Sequence, residues 1–414
     1  MNKKIHIVGG GTVSHSSCHL GLSAPAFGST ARKIEKFCRE KNTSMDIILH
    51  LTSMAGGHHD LQSPSNLKDL AESIISDFSS KIVFWSPAVA DFNLIVDTDE
   101  LRTGENPKYA GRLSSLKEYA AKLVPNKEKI VDLFRKTRKD ITLVAFKTTC
   151  GATEDEQYLA GLNLLKKASA NLVLANDTKH RRNMIIVPEE ARYCVTHDRD
   201  EVLRELVHIA LLRSTLTFTR STVVAGEPVP WDSDKVPSAL RNVVNYCVER
   251  GAYKKFRNVT AGHFAVKLTD TSFLSSRRKT DLGDIKNVGL VYVETDGPDT
   301  VIAYGSKPSV GGQSQRIVFN DHPGLDSIVH FHCPKKESSL VPTVSQKEYE
   351  CGSHQCGKNT SDGLKQFGRL KAVYLDNHGP NIVFDSREPN IDQEVIKFIE
   401  DNFYLEQKTG GLTE

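Results

Sequence analysis

Residues 5–12, Ile-His-Ile-Val-Gly-Gly-Gly-Thr, decide the fold of the first half of this chain. A short apolar run that ends in three glycines predicts a β-strand followed by a tight loop. Glycine allows the backbone to approach a ligand closely and to point its N–H groups at an anion. Gly10, Gly11 and Thr12 are therefore candidates for a phosphate-binding loop at the carboxyl end of the first strand. A plain glycine-rich turn is the alternative interpretation.

The rest of the first half alternates short β-branched runs with stretches of helical periodicity. Such alternation predicts an α/β fold with a mostly parallel, Rossmann-like sheet. Apolar residues in the intervening segments recur every three or four positions, as they do in helices that cover both faces of a sheet. The predicted strands are residues 5–8, 46–51, 82–86, 141–146, 172–175 and 184–187, and the clearest predicted helices are residues 66–78, 156–168 and 201–212.

Three further segments follow apolar runs and should meet the glycine loop at one edge of this sheet. They are residues 87–92, 144–147 and 174–177. In open α/β sheets, ligands bind outside the carboxyl ends of the strands, where the strand order reverses. The first half therefore predicts a ligand site at this edge.

Taken together, these segments resemble phosphopantothenoylcysteine synthetase, the ligase that joins cysteine to phosphopantothenate through an acyl-nucleotide intermediate. The resemblance spans residues 4–210 and includes residues 10–12, 88–92, 111–115, 145–147 and 175–177 in the order of that family. It implies that a nucleoside triphosphate, CTP or ATP, binds with its base against Phe146. The residues that it places around the nucleotide are Gly10, Gly11, Thr12, Ala90, Asp91, Phe146, Lys147 and Asn176.

The chain departs from the pattern of this family at three positions. Ala24 stands where the family has the asparagine that holds the acyl intermediate, and Leu20 stands where arginine is common. Arg112 stands where a mobile loop of the family carries lysine. An alanine side chain makes no hydrogen bond, and losing a donor to a developing charge costs on the order of 10²-fold in rate. We therefore expect nucleotide binding without the ligase reaction.

Composition places the chain among folded, soluble globular proteins. A length of 414 residues with 39% hydrophobic and 25% charged residues predicts two globular domains. A net charge of +3 with no long basic run argues against a nucleic-acid partner. No apolar run is long enough for a membrane span or for the core of a signal peptide, so we expect a cytoplasmic protein with no membrane partner. The eight cysteines are then expected to be reduced thiols.

The predicted domains are residues 1–214 and 236–414, joined by a linker at residues 215–235. Residues 224–231 contain a glycine and two prolines, which suit an extended connection. After this segment, an amphipathic helix at 238–249 is followed by several short strands and a final helix at 392–403. The second half therefore predicts an α+β domain.

Three histidines of the second half form a metal-ligand pattern. His330 and His332 follow an apolar run two residues apart, so on a strand they project from the same face. His378 ends another apolar run and precedes a glycine that opens a turn. Three imidazoles with one open position suit catalytic zinc, with manganese or cobalt as alternatives. The alternative interpretation is a pair of histidines on a solvated strand face.

This pattern resembles the class II aldolase and adducin family, whose members cleave, epimerise or dehydrate small, usually phosphorylated sugars. The resemblance covers residues 236–406, with landmarks in order at residues 262–267, 275–276, 307–309, 330–332, 351–353 and 377–379. It implies that Gly262, Ser275, Ser276 and Ser309 hold a substrate phosphate, with Lys279 or Lys307 nearby. Ordinary turn residues are the alternative interpretation of the serines.

The catalytic acid/base of that family is missing here. Gly311 stands where the family has glutamate, and glycine cannot transfer a proton. A bound metal could still polarise a carbonyl as a Lewis acid. We therefore expect the proton to be moved by Glu350, Tyr349 or His354.

These features together predict a two-domain enzyme. The first hypothesis is a metal-dependent lyase of aldolase or dehydratase type, acting on a small phosphorylated carbonyl compound or sugar and fused to a nucleotide-binding ligase-like domain. A nucleotide-dependent ligase with an accessory metal domain and a degenerate binding or scaffold protein remain as alternatives. Both families usually form oligomers, so the resemblance implies a homo-oligomer.

Overall fold

The computed structural model describes residues 2–17, 20–97, 113, 115–256 and 258–405. The chain divides into two compact units: the first unit is Met1–Val187 with Tyr193–Ser214, and the second unit is Pro188–Arg192 with Thr215–Glu414. In the family segment at 111–115, residues 111, 112 and 114 lie outside the described residues, so the expectation for Arg112 does too. Among the described residues, no helix has the length and apolar character that crossing a bilayer requires.

The first unit is built on a twisted sheet with helices. Its strands are β1 (Lys4–Gly9), β2 (Thr12–Ser17), β3 (Leu20–Ala24), β4 (Asp46–Leu51), β5 (Ser80–Trp85), β6 (Phe92–Asp97), β7 (Ala120–Pro125), β8 (Thr142–Thr149), β9 (Leu172–Asp177), β10 (Asn183–Ile186) and β11 (Arg192–Thr196). Its helices are α1 (Ser29–Glu40), α2 (Pro64–Ser76), α3 (Leu133–Thr137), α4 (Glu154–Ala168) and α5 (Arg199–Arg213).

Seven of the described strands form the main sheet, in the order β11-β10-β9-β8-β5-β1-β4. The pairs from β4 to β9 are parallel, which confirms the predicted mostly parallel sheet. Strand β10 runs antiparallel to β9. Two hairpins, β2–β3 and β6–β7, lie outside this sheet and were not expected from the sequence.

The helices of the first unit fall into two groups. Helix α1 packs on β1, β4 and α5, whereas α2 packs on α3, and α4 packs on β8 and β9. Two of the helices begin with a capping box, one from Ser63 to Asn66 and one from Thr153 to Glu156. These caps satisfy N–H groups that the first turn of a helix leaves without intrahelical partners.

The second unit contains a larger, mainly antiparallel sheet. Its strands are β12 (Arg220–Val224), β13 (Lys255–Phe256), β14 (Val259–Thr260), β15 (His263–Lys267), β16 (Ser272–Ser275), β17 (Val291–Thr295), β18 (Thr300–Tyr304), β19 (Ser327–His330), β20 (Thr343–Val344), β21 (Lys365–Phe367), β22 (Leu370–Leu375) and β23 (Gly379–Phe384). Its helices are α6 (Ser238–Glu249), α7 (Ile285–Val288), α8 (Val310–Asp321), α9 (His354–Gly363) and α10 (Ile391–Asn402).

Along the sheet of the second unit, the described strands follow the order β12-β18-β17-β16-β15-β19-β23-β22-β20. Strand β12 pairs in parallel with β18, so the segment 215–235 that we expected as a linker contributes a strand to this sheet. The sequence Ser-Thr-Val-Val within β12 is rich in β-branched residues, and this signal outweighs the glycine and prolines that follow it. The α+β character of this unit is as predicted.

Both faces of this sheet are buried. Phe264, Leu274 and Val329 belong to one apolar core with residues of α6 and α10. Their neighbours Ala265, Phe273 and Ile328 belong to a second core on the other face. Successive side chains of a strand point to opposite faces, so adjacent residues enter different cores. The strands of this unit can therefore hold functional side chains in a dry, rigid setting.

Candidate metal and nucleotide sites

The glycine loop of the first unit lies where the strand order reverses. From β1 the chain moves outward to β4 and then crosses to β5 on the other side of β1. The loops after β1 and β5 therefore leave the sheet side by side, and Gly11 forms a parallel bridge with Ala88. Open α/β sheets bind ligands at this position.

The hydrogen bonds of this loop differ from the expectation. The N–H of Gly11 donates to the carbonyl of Ala26 at 2.7 Å, and the N–H of Thr12 donates to the carbonyl of Ala88 at 3.0 Å. The Thr12 hydroxyl accepts from the N–H of Ala90 at 2.9 Å. We expected these two N–H groups to face an anion, but they hold neighbouring loops together because buried backbone groups need partners.

Close packing also accounts for the glycines. A Cβ at Gly11 would lie 2.2 Å from the carbonyl oxygen of Ala24 and 2.5 Å from the sulfur of Met54. Gly10 has a φ of +108°, a conformation that other residues rarely adopt. The plain-turn interpretation of these glycines therefore has support in the packing, whether or not a ligand binds beside them.

The remaining expected nucleotide residues lie at the carboxyl ends of neighbouring strands. Phe146 and Lys147 are half-buried on β8, and Lys147 is opposite Ala175 of β9. The side-chain oxygen of Asn176 accepts from the hydroxyl of Thr148 at 3.3 Å. These residues are brought to the same sheet edge as the glycine loop, as expected.

Two carboxylates at this edge have defined partners. Asp91 is exposed and pairs with Lys129 at 2.5 Å. Burial opposes ionisation of Asp177, but the backbone N–H groups that donate to its carboxylate outweigh that effect and lower its pKa. Three of these donors are the N–H groups of Gly151, Ala152 and His180. Asp177 therefore fixes the loops beside Asn176.

The positions that depart from the synthetase pattern lie on the hairpin next to the glycine loop. Ala24 of β3 is opposite Thr12 of β2, and Leu20 is opposite Ser17. A side chain at position 24 therefore stands beside the loop that would hold the phosphates. The methyl group of alanine supplies no hydrogen bond there.

The three predicted metal ligands of the second unit converge in the structure. His330 ends β19, which lies between β15 and β23, and His378 immediately precedes β23. His332 lies two positions beyond the end of β19, so it is not on the strand as we expected. The three residues offer ligand atoms that all lie within 4.8 Å of one another.

The geometry of this cluster suits one cation. The Nε2 atoms of His330 and His378 are 3.2 Å apart. The ring centroid of His332 lies 5.1 Å from that of His330 and 4.7 Å from that of His378. His330 Nδ1 lies 2.8 Å from the carbonyl oxygen of Pro380, which fixes Nδ1 as the protonated nitrogen and directs Nε2 into the cluster. This donor set fits a divalent first-row metal such as zinc.

Two glycines make room for this arrangement. Gly379, the residue after His378, has a φ of +144°, and a Cβ there would lie 2.1 Å from the carbonyl oxygen of Phe331. Gly262 has a φ of +106°, and a Cβ there would lie 2.6 Å from the carbonyl oxygen of His330. Larger residues at either position would displace the backbone that carries His330 and Phe331.

Burial keeps the imidazole of His330 in the neutral form that binds metal. Burial lowers the pKa of His330 well below its ordinary value, and the neighbouring histidines lower it further. A metal ligand must be a neutral imidazole, so this effect favours binding. Burial also lowers the pKa of His263 to about 3, with His332 as a smaller cause.

His263 and Glu190 lie beside this cluster, although we did not expect them there. His263 is opposite His330 in the β15–β19 pair, with ring centroids 4.8 Å apart. Glu190 Oε2 lies 3.7 Å from His332 Nδ1. The sequence contains His263 within the family landmark at 262–267, but strand register is needed to place it. Nothing in the sequence near Glu190 signals its position.

Three of the four expected phosphate residues, Ser275, Ser276 and Ser309, are brought together, although most of their groups are engaged. The N–H of Ser309 donates to the carbonyl of Ser276 at 2.8 Å. Ser275 and Ser276 are buried, and the Ser275 hydroxyl donates to the Ser276 carbonyl at 3.2 Å. Gly262 ends the loop before β15. Ser309 immediately precedes α8, so the N–H groups of this helix terminus are next to it.

The three expected proton-transfer residues have different surroundings. His354 Nε2 lies 2.7 Å from the Thr219 hydroxyl, and His354 Nδ1 lies 3.5 Å from Asp299. Both of its ring nitrogens are therefore engaged by these neighbours. The N–H of Tyr349 donates to the carbonyl of Gln346, and Glu350 accepts from the N–H of Ser353 through its backbone carbonyl.

Comparison with known proteins gives similarities in structure alone. Neither a protein-family model nor a curated protein sequence matches the chain. The DNA/pantothenate metabolism flavoprotein from Streptococcus pneumoniae is 17% identical with a TM-score of 0.41, and the match covers 51% of this chain and 100% of that one. The C-terminal domain of the coenzyme A biosynthesis bifunctional protein CoaBC is 18% identical with a TM-score of 0.37, covering 51% and 95%.

A second group of similar structures includes L-fuculose 1-phosphate aldolases. An L-fuculose 1-phosphate aldolase is 15% identical with a TM-score of 0.30, and the match covers 41% of this chain and 85% of that one.

Proposed function

We propose that the second unit is a divalent-metal lyase of aldolase or dehydratase type that acts on a small phosphorylated carbonyl compound or sugar. The convergence of His330, His332 and His378 within 4.8 Å, in a largely buried setting, is the observation that carries this proposal. We further propose that the first unit binds a nucleoside triphosphate, CTP or ATP, at the sheet edge that contains the glycine loop.

In the proposed metal site of the second unit, each group of residues would have a separate role. The three histidines would hold zinc, with manganese or cobalt as alternatives, and the bound ion would polarise a carbonyl as a Lewis acid. Ser309 and the N-terminus of α8 would orient a phosphate, because N–H groups at a helix terminus favour anions. Glu350, Tyr349 or His354 would move the proton that the missing glutamate at position 311 cannot.

Isotope exchange tests this chemistry before the natural substrate is identified. Aldol cleavage and dehydration both depend on the acidity of a C–H bond next to a carbonyl. We therefore expect the zinc- or manganese-loaded full chain to incorporate deuterium from D₂O into dihydroxyacetone phosphate or another member of a panel of sugar phosphates. Proton NMR measures the loss of the C–H signal.

The control for exchange is the chain with His332→Ala, which should not exchange in the presence of the same metal. A wild-type chain that binds metal but exchanges no C–H proton in any compound of the panel would count against the lyase proposal. Exchange that persists in the His332→Ala chain would place the activity outside this cluster.

Nucleotide binding by the first unit is measurable in the full chain. The protein has two tryptophans, Trp85 in the first unit and Trp231 in the second, so Trp231→Phe makes the fluorescence of Trp85 a reporter of the first unit. A ligand at 100 times its dissociation constant adds about 2.7 kcal/mol to the free energy of unfolding. We expect CTP or ATP at millimolar concentration to raise the midpoint temperature of unfolding that Trp85 fluorescence reports.

Lys147→Ala in the same background should remove most of this stabilisation, because its ammonium group is expected to face the phosphates. Lys136→Ala, at an exposed position of α3, is the matched control and should respond to nucleotide as the wild type does. If no nucleoside triphosphate at millimolar concentration shifts the transition, the nucleotide proposal is wrong.

A further inference from the structure

The segment Pro188–Arg192 brings two buried glutamates into the second unit. It groups with this unit although the residues on either side of it belong to the first. Glu189 is 1% exposed and Glu190 is 8% exposed. Carboxylates are rarely buried to this extent unless they are paired, because removing the charge from water is costly. Each of these two side chains therefore calls for a specific partner.

The two glutamates reach different partners. Glu189 Oε1 accepts from the N–H of Cys351 at 2.5 Å, which anchors the segment. Glu190 has a φ of +66°, in the left-handed region. A residue other than glycine is strained in this region and persists there only where the surroundings enforce it. The strained backbone directs the Glu190 carboxylate to His332 Nδ1, 3.7 Å away, and both side chains are almost fully buried.

The other histidines indicate which nitrogen of His332 belongs to the metal site. His330 directs Nδ1 to the Pro380 carbonyl, so it enters the cluster through Nε2. His378 Nε2 lies beside His330 Nε2. With Nδ1 of His332 facing Glu190, the cluster is consistent if all three rings present Nε2 to the cation. A histidine that binds metal nearly always donates its other ring N–H to a carboxylate, carbonyl or water.

We propose that Glu190 is a positioning residue of the metal site, which accepts the His332 Nδ1–H and holds Nε2 of that ring toward the cation. This inference rests on the proposed metal site and extends it to a carboxylate from a distant part of the chain. Glu190 lies next to His332 but is not among the residues whose ligand atoms share the cluster. It therefore acts through His332 and not as a ligand itself.

Metal affinity tests this role in the full chain. Loss of such a partner lowers metal affinity by about 10- to 100-fold. We expect Glu190→Ala to raise the dissociation constant for zinc by this factor, measured by competition with a chromogenic chelator. Glu190→Gln keeps the size of the side chain and an amide oxygen that can accept the Nδ1–H, so its effect should be smaller. Cobalt should bind to Glu190→Ala with altered visible absorption bands, because these bands depend on how the ligands are oriented.

Glu189→Gln is the matched control, since Glu189 is adjacent and also buried but contacts Cys351. It should keep the wild-type dissociation constant and cobalt spectrum.

If Glu190→Ala does not fold, the isosteric Glu190→Gln carries the test through its dissociation constant and cobalt spectrum. Wild-type zinc affinity and an unchanged cobalt spectrum in both Glu190 variants would overturn the inference and leave the metal site standing. Absence of metal uptake by the wild-type chain would overturn both. Metal uptake without C–H exchange would count against the proposed lyase reaction and leave the inference about Glu190 unchanged.

Discussion

Replacing His332 with alanine is expected to abolish binding of a divalent metal by this protein. The wild-type chain should bind about one ion, since three imidazoles are the protein ligands of one kind of catalytic zinc site. His332 completes a set whose ligand atoms lie within 4.8 Å of one another, and two histidines alone do not enclose a cation. Metal content is measured by mass spectrometry after gentle purification and again after loading with zinc, manganese or cobalt.

A second histidine of the same unit provides the control. His322 lies outside the cluster, where its Nε2 is 3.2 Å from the carbonyl oxygen of Ser361. The His322→Ala chain should retain the metal. In a Trp85→Phe background, Trp231 fluorescence should show that the second unit remains folded in both variants. If the wild-type chain is metal-free and takes up none of the three ions, the cluster is vestigial and the lyase proposal falls with it.

The wild-type chain is expected to form no phosphopantothenoylcysteine from phosphopantothenate, cysteine and nucleotide. Ala24 is opposite Thr12 beside the glycine loop, at the position where the synthetase family uses asparagine to hold the acyl-nucleotide. Removing one such donor costs about 10² to 10³ in rate. Product is measured by mass spectrometry, with a phosphopantothenoylcysteine synthetase assayed in parallel.

Restoring asparagine by Ala24→Asn alone should not restore the reaction. Leu20, on the same strand β3, stands where the family commonly has arginine. Side chains that act as a unit have non-additive effects, so the double variant Leu20→Arg with Ala24→Asn is the more informative protein to compare. Ready turnover by the wild-type chain would contradict this prediction and would favour the ligase hypothesis over the lyase hypothesis.

Local sequence patterns predicted most of the elements that carry these sites. The strands at β1, β4, β5, β8 and β9 follow from short apolar runs, because a buried parallel strand needs apolar residues on both faces. The hairpin β2–β3 was missed because residues 12–17, Thr-Val-Ser-His-Ser-Ser, are mostly polar and give no clear alternation. The strand β12 was missed because its β-branched residues stand next to a segment rich in proline and glycine.

The residue types of the proposed metal site were also predictable from the sequence. His330 and His332 are two positions apart, and His378 precedes a glycine whose φ of +144° only glycine adopts readily. The acceptors of the Gly11 and Thr12 N–H groups could not be predicted from the sequence. These acceptors, the carbonyls of Ala26 and Ala88, are brought close by the packing of separate loops. A glycine-rich loop has the same sequence whether its N–H groups face a ligand or another loop.

The sequence by itself indicated which residues are candidate metal ligands and which segments become strands, since both follow from residue type and from spacing along one segment. The tertiary structure alone decided that His263 lies opposite His330 and that Glu190 reaches His332. Strand register and loop position result from the packing of whole elements, so contacts between residues far apart in the chain leave no periodic signal in either segment.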